Sequence, residues 1–214
     1  MLRHMLQLAK DDELIPTNHA DGVKLPSPPA GRVRYLQPTE LRCVLAACPK
    51  WLQPIVGLLV FTGMRRSEVL GLRWLDVDTQ NGVIRLPQTK NGDGRTVWLN
   101  KLASDVLGTL KAGKPTERVF SADITPENVS LAFLRACRKV GIADFKLHDL
   151  RHTAASWLRM KGADLQDVAE VLGHKDLRMT KRYAHLSPAH MGTTVKRLDL
   201  AFAEVKQLAA GAGS

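Results

Sequence analysis

Apolar residues open the chain at helical spacing, and residues 1–15 read as one amphipathic helix, too short to be a domain. From 16 to 34 the periodicity fades among Pro, Gly, Asn and Asp, which marks a linker. Pro38 suits a first helical position, and Leu41, Val44, Leu45 and Cys48 then keep a helix period until Pro49. Residues 51–61 are the most apolar stretch and predict a buried helix that ends at Thr62-Gly63. A short helix is expected over about 65–71.

The period then shortens to two. Asn81-Gly82 and residues 91–94 are turn signals, so 75–78, 83–86 and 96–99 predict three short strands in an antiparallel sheet. Helical patterning returns at 102–111 and again through Val129, Phe133, Cys137 and Val140, with Gly141 as a stop. Short helices are expected over 148–161, 165–172 and 177–184. A last helix over 188–208 carries Leu198, Phe202 and Val205 on one stripe. No internal repeat is visible. The pattern predicts a mainly α fold with a small three-stranded antiparallel β-sheet, an α+β domain.

Composition adds a partner class. The 214 residues are 44% hydrophobic, enough for a core without disulfide or metal staples. Lys and Arg number 31 against 21 Asp and Glu, a formal charge of +10. Such an excess suggests a polyanion, most simply nucleic acid, although charge alone also fits a merely basic protein. Cys43, Cys48 and Cys137 are too scattered for a disulfide framework and fit a reducing cytosol. No apolar run approaches the ~20 residues of a membrane span, and the first ten residues lack a signal core. A cytoplasmic location with no membrane partner is expected.

Four separated segments are rich in groups that bind or attack phosphate: residues 62–68 (TGMRRSE), 89–92 (TKNG), 148–152 (HDLRH) and 172–174 (LGH), the last followed nine residues later by Tyr183. Their residues leave choices open. Arg65 and Arg66 are neighbours, either of which could serve an anion. His148 and Arg151 share one helical face. His148 and His152 are also spaced as a zinc pair, although Asp149 replaces the Glu of the metalloprotease motif, and Arg151 would set a cation beside the metal. Lys90 could be an ordinary turn lysine. Tyr183 could be a packing residue, but its "MTKRYAH" surroundings are polar and basic, which is odd for a core tyrosine.

Taken together, the segments TGMRRSEVLGLRWLDVD, HDLRHTAASWL and LGHKDLRMTKRYAHL resemble the tyrosine recombinase family of phage integrases and chromosome-dimer resolvases. The resemblance runs over about residues 30–190. It implies a catalytic domain over 35–190. Residues 1–15 would then be the remnant of a preceding core-binding domain, 16–34 a linker, and 191–214 a tail able to dock in trans. Nearly all of the usual core-binding domain, and any arm-binding domain, is expected to be missing.

The resemblance also implies roles. The spacing after Thr62-Gly63 selects Arg65 over Arg66. Arg65 and Arg151 would meet the charge that builds on a phosphodiester, for which the planar guanidinium fork is suited. His148 would accept or relay the tyrosine proton, and His174 would donate to a non-bridging oxygen. Tyr183 would attack the phosphorus to give a 3′-phosphotyrosyl link, with Lys90 on a hairpin tip as the acid for the departing 5′-hydroxyl. Glu68 and His152 are expected to support these groups. No metal, no cofactor and no ATP are called for. The partners implied are double-stranded DNA and other recombinase protomers, as a tetramer on DNA in a bacterial nucleoid, while the fragment alone could be monomeric. A type IB topoisomerase would share this chemistry without exchanging strands. A non-catalytic helix-turn-helix regulator would leave Tyr183, Lys90 and the arginines unexplained.

Overall fold

The computed structural model describes residues 2–23, 34–87 and 94–186. The chain divides into two units, Met1–Gly31 and Arg32–Ser214. In the first, α1 (Leu2–Asp11) is shorter than the apolar pattern predicts, because Glu13 turns into the left-handed region at φ 57°. The chain beyond it folds back on α1. The Arg3 guanidinium donates to the carbonyls of Ala20 (2.9 Å) and Val23 (2.6 Å), and Asn18 Nδ2 donates to the Arg3 carbonyl (3.1 Å).

The second unit begins with α2 (Pro38–Ala47), whose first turn is fixed by Glu40 Oε2 accepting from the Gln37 backbone N–H at 2.7 Å. α3 (Gln53–Thr62) is apolar on nearly every side and runs through the core. Gly57 lets the Val106 side chain approach it closely, since a Cβ there would lie 3.0 Å from Val106 Cγ2. Gly63 ends α3 in the left-handed conformation, φ 67°, and α4 (Arg66–Gly71) follows with Arg65 as its extended N-cap.

The sheet comprises β1 (Val77–Asp78), β2 (Val83–Leu86) and β3 (Arg95–Trp98), antiparallel in the order β1-β2-β3. Ile84 stands opposite Val77 on one side and Val97 on the other, while Leu86 pairs with Arg95 at the open end. β1 starts later than the alternation predicts. The Trp74 and Leu75 amides donate to the carbonyls of Glu117 and Pro115, so residues 74–76 form a 3₁₀ turn and not a ladder.

Among the described residues four further α-helices follow: α5 (Lys101–Gly108), α6 (Pro126–Lys139), α7 (Asp149–Met160) and α8 (Leu165–Leu172). Asn100, Thr125 and Asp164 cap α5, α6 and α8 through side-chain oxygens. The main core gathers α3 with the inner faces of α2, α6 and the sheet. A second, smaller cluster joins Ala155 of α7 to Val168 and Leu172 of α8 and to Tyr183.

The α-helical segment expected over 177–184 is instead two 3₁₀ turns, Leu177–Met179 and Lys181–Leu186. With three residues per turn, Thr180, Tyr183 and Leu186 fall on one inward edge. Thr180 and Tyr183 are buried and Leu186 packs against the small cluster, while Lys181, Arg182, Ala184 and His185 are exposed. The helix expected over 188–208, with its stripe of Leu198, Phe202 and Val205, lies outside the described residues.

Candidate active site

The site is organised around the C-terminal end of α8. Gly173 ends that helix at φ 66°, leaving a row of backbone carbonyls without helical partners. Three successive carbonyls each accept from a different arginine: Val171 from Arg95 NH1 (2.9 Å), Leu172 from Arg151 NH2 (2.5 Å) and Gly173 from Arg65 NH2 (3.2 Å). The negative end of the helix macrodipole favours cations at this position.

Arg151 is also held from the other side. Its NH1 donates to the carbonyl of Gly63 at 2.6 Å, the residue that ends α3. Two helix C-termini therefore meet on one buried guanidinium. Burial first, then the neighbouring Arg65 and Arg95, pull the Arg151 pKa down to about 10, so it stays charged at neutral pH.

Arg65 and Arg66 separate clearly. Arg65 turns to Gly173 and to Glu68, whose Oε2 accepts from the Arg65 backbone N–H (2.6 Å) and whose Oε1 accepts from NH1 (3.0 Å). Arg66 points to α6, donating to the Pro126 carbonyl (3.0 Å) and to Ser130 Oγ (2.7 Å). Glu68 also binds Arg95 NH2 at 3.0 Å. Burial pushes the Glu68 carboxyl up, but the Arg65 amide and the Arg95 guanidinium outweigh it and hold the group below the usual carboxylate value.

The three histidines sit under these cations. His148 immediately precedes α7 and makes no side-chain cap, and its ring stands edge-on to His152 with centroids 5.4 Å apart. Burial, followed by Arg151 for His148 and by His148 for His152, lowers both pKa values. His174 follows Gly173, and its Nδ1 lies 2.8 Å from the buried hydroxyl of Thr180. Burial, Arg151 and Arg65 bring its pKa down to about 4. At neutral pH it is therefore an uncharged imidazole.

Tyr183 is 1% exposed and belongs to the small core cluster, so the polar residues beside it in sequence do not describe its surroundings. Its phenol oxygen is hydrogen-bonded to Nδ1 of His152. Burial pushes the phenol pKa up to about 12, against the pull of Arg182 and Arg151. Both shifts favour a neutral pair, in which the phenol donates and Nδ1 accepts. His152, and not His148, is thus the residue that contacts the phenol.

Two cavities flank Arg65. One, of about 580 Å³, is lined by Arg65, Arg66, Lys146, His148 and Arg151 above an apolar floor that includes Met64. The other, of about 790 Å³, is lined by Arg65, Glu68, Arg95, His174 and Lys175. The structure thus brings together Arg65, Glu68, His148, Arg151, His152, His174 and Tyr183. Lys90 lies outside the described residues, between the end of β2 at Leu86 and the start of β3 at Arg95. Sequence reasoning missed Arg95 and Thr180, which carry no spacing signal of their own. Among the described residues no group of three or more His, Cys, Asp or Glu is placed to hold a metal ion, and no helix is long and apolar enough to cross a membrane.

Comparison with known proteins bears on the same segments. The model of the phage integrase family matches residues 34–190, from just ahead of α2 to beyond Tyr183. This chain belongs to the phage integrase family. The integrase of Salmonella phage P22 is 32% identical over 197 residues, covering 84% of this chain and 51% of that protein. Among solved structures, the catalytic domain of bacteriophage HP1 integrase superposes with a TM-score of 0.64 at 30% identity, covering 79% of this chain and 98% of that one. A lambda integrase dimer bound to a COC′ core site shares the fold, with a TM-score of 0.68 at 23% identity over 83% of this chain and 70% of that one. The chain spans about half the length of its curated integrase relative from P22.

Proposed function

We propose that this chain is the DNA-cleaving portion of a site-specific recombinase, joining Tyr183 to the 3′-phosphate of one strand. The observation that carries this reading is the convergence on the end of α8. Arg65 and Arg151 donate to adjacent carbonyls there, His174 is the next residue, and the helix that bears Arg151 also holds the Tyr183 phenol through His152. A bound phosphodiester at this place would answer an excess of positive charge that Glu68 offsets only in part.

In the proposed reaction Tyr183 Oη forms a bond to phosphorus while the bond to the 5′-oxygen breaks. The phenol proton passes to an imidazole. His148 is the residue that the family resemblance names, and His152 is the one in contact with the phenol. The departing 5′-oxygen takes a proton from Lys90. Arg65 and Arg151 stabilise the charge on the equatorial oxygens, His174 donates to one of them, and Glu68 orients Arg65. A second strand's 5′-hydroxyl then attacks the phosphotyrosine, restoring a phosphodiester and the phenol. The number of such bonds is unchanged, so no ATP is needed.

Double-stranded DNA is the proposed substrate, and other protomers the proposed partners, four of them on the paired sites. Residues 35–190 form the catalytic unit in this reading, and residues 191–214 the segment that reaches a neighbour. The proposed location is the bacterial cytoplasm, on the nucleoid. The test mixes the chain with duplexes of two lengths that carry a candidate core. Recombinant-length strands support the proposal. Relaxation of a plasmid without strand exchange would point to a topoisomerase, and binding without covalent adduct to a regulator.

A further inference from the structure

Arg95 takes no part in the chemistry proposed above, yet it sits inside the site. It opens β3, beside the hairpin segment that carries Lys90, and its side chain is only 16% exposed. Three contacts hold it. NH2 donates to Glu68 Oε2 at 3.0 Å, NH1 donates to the Val171 carbonyl at 2.9 Å, and the side-chain stem lies on the backbone of Gly173. A Cβ at residue 173 would stand 2.5 Å from Arg95 Cδ and 2.7 Å from Nε, so only glycine admits this packing.

These contacts close a ring. Arg95 binds Glu68, Glu68 binds Arg65, Arg65 binds the Gly173 carbonyl, and Val171, two residues before Gly173, binds Arg95 again. The ring joins the start of α4, the end of α8 and the first residue of β3. Arg65 is the most exposed of the charged side chains in the ring, at 43%, so its direction depends on the carboxylate behind it. That carboxylate is shared between Arg65 and Arg95. Removing Arg95 would leave Glu68 free to follow Arg65, and would leave the Val171 carbonyl without its side-chain donor. Of the Arg95 nitrogens, Nε is buried without a hydrogen-bond partner among the described residues, so the donors that matter are the two that close the ring.

We propose that Arg95 is a positioning residue, which fixes Arg65 and the Gly173–His174 turn relative to each other so that both meet the same phosphate. The inference rests on the recombinase reading above. Its effect belongs in the rate of attack and not in the binding of DNA, because misplacement of a charge-stabilising group by a fraction of an ångström weakens the transition state most.

The test measures single-turnover adduct formation by the full chain on nicked duplexes with a randomised core, at saturating protein, alongside DNA affinity. Arg95→Ala is expected to slow adduct formation by about tenfold or more while affinity stays within about twofold. Arg95→Lys keeps a cation but cannot reach both partners, so its rate should fall between the two. Combining Arg95→Ala with Glu68→Gln should cost little more than the worse single change, because both open one ring. Rates like those of the unchanged chain, losses confined to affinity, or fully additive losses in the double variant would overturn the proposal. Failure of the unchanged chain to give any Tyr183-dependent adduct would instead bring down the recombinase reading, and this inference with it.

Discussion

The phenol oxygen of Tyr183 is hydrogen-bonded to Nδ1 of His152, the residue that follows Arg151 on α7. One helix therefore holds the proposed nucleophile on one residue and carries a buried arginine on the residue before it. The phenol in this state is neutral and enclosed, with its pKa pushed up to about 12 by burial.

That burial predicts a late titration. The difference in phenolate absorbance between the chain and Tyr183→Phe should titrate near 12 and not near the ordinary value of about 10. The folded state then holds this proton after the unfolded state has released it. The corresponding stability is full below pH ~10 and is lost as pH rises towards 12. A difference titration centred near 10 would show that the phenol is not enclosed.

The histidines predict the opposite limb. The pKa values of His148, His152 and His174 are all lowered in the fold, that of His174 to about 4. As pH falls below the ordinary histidine value of about 6.5, the unfolded chain takes up protons that the folded chain refuses, so stability declines between about 6.5 and 4. The thermal midpoint should drop over that range, and less steeply in His174→Gln. Equal slopes in the two proteins would contradict the placement of His174 among the arginines.

Gly63 supplies a local test of how Arg151 is seated. Its φ of 67° and a would-be Cβ only 2.7 Å from Leu172 Cδ2 both oppose a side chain. Gly63→Ala should cost at least about 1–2 kcal/mol from the left-handed conformation alone, which lowers the melting temperature by about 2–4 °C per kcal/mol in a chain of this size. The same change should slow adduct formation, since the Gly63 carbonyl holds Arg151. An unaltered melting temperature would show that α3 and α8 do not meet as described.

Much of this was readable in the sequence, for physical reasons that can be named. α3 announces itself because a short, nearly all-apolar run must be buried, and the turn residues Asn81-Gly82 mark the sheet. Gly173 was legible as a helix end, which put His174 just beyond α8. Other features were not. The seat of the three arginines is made of backbone carbonyls, and every residue carries one, so no side-chain pattern reveals it. Arg95 reads as one basic residue among turn signals. The burial of Tyr183 was hidden because a 3₁₀ period of three exposes its neighbours Arg182 and Ala184 while turning it inward. His152 was legible as a supporting residue, but its contact with the phenol depends on how α7 meets the last turns.

Trapping the covalent intermediate tests the central claim most directly. On a nicked suicide duplex the freed end diffuses away, so attack leaves protein joined to DNA. The account predicts an adduct on the unchanged chain, with the DNA mapped to Tyr183 by peptide mass spectrometry, and its persistence in EDTA. Arg65→Ala and Arg151→Ala should each lower its rate by about 10²–10³. Tyr183→Phe keeps the ring in the small core and should bind DNA nearly as well while forming no adduct. An adduct that survives Tyr183→Phe, or that vanishes on chelation, would contradict the account.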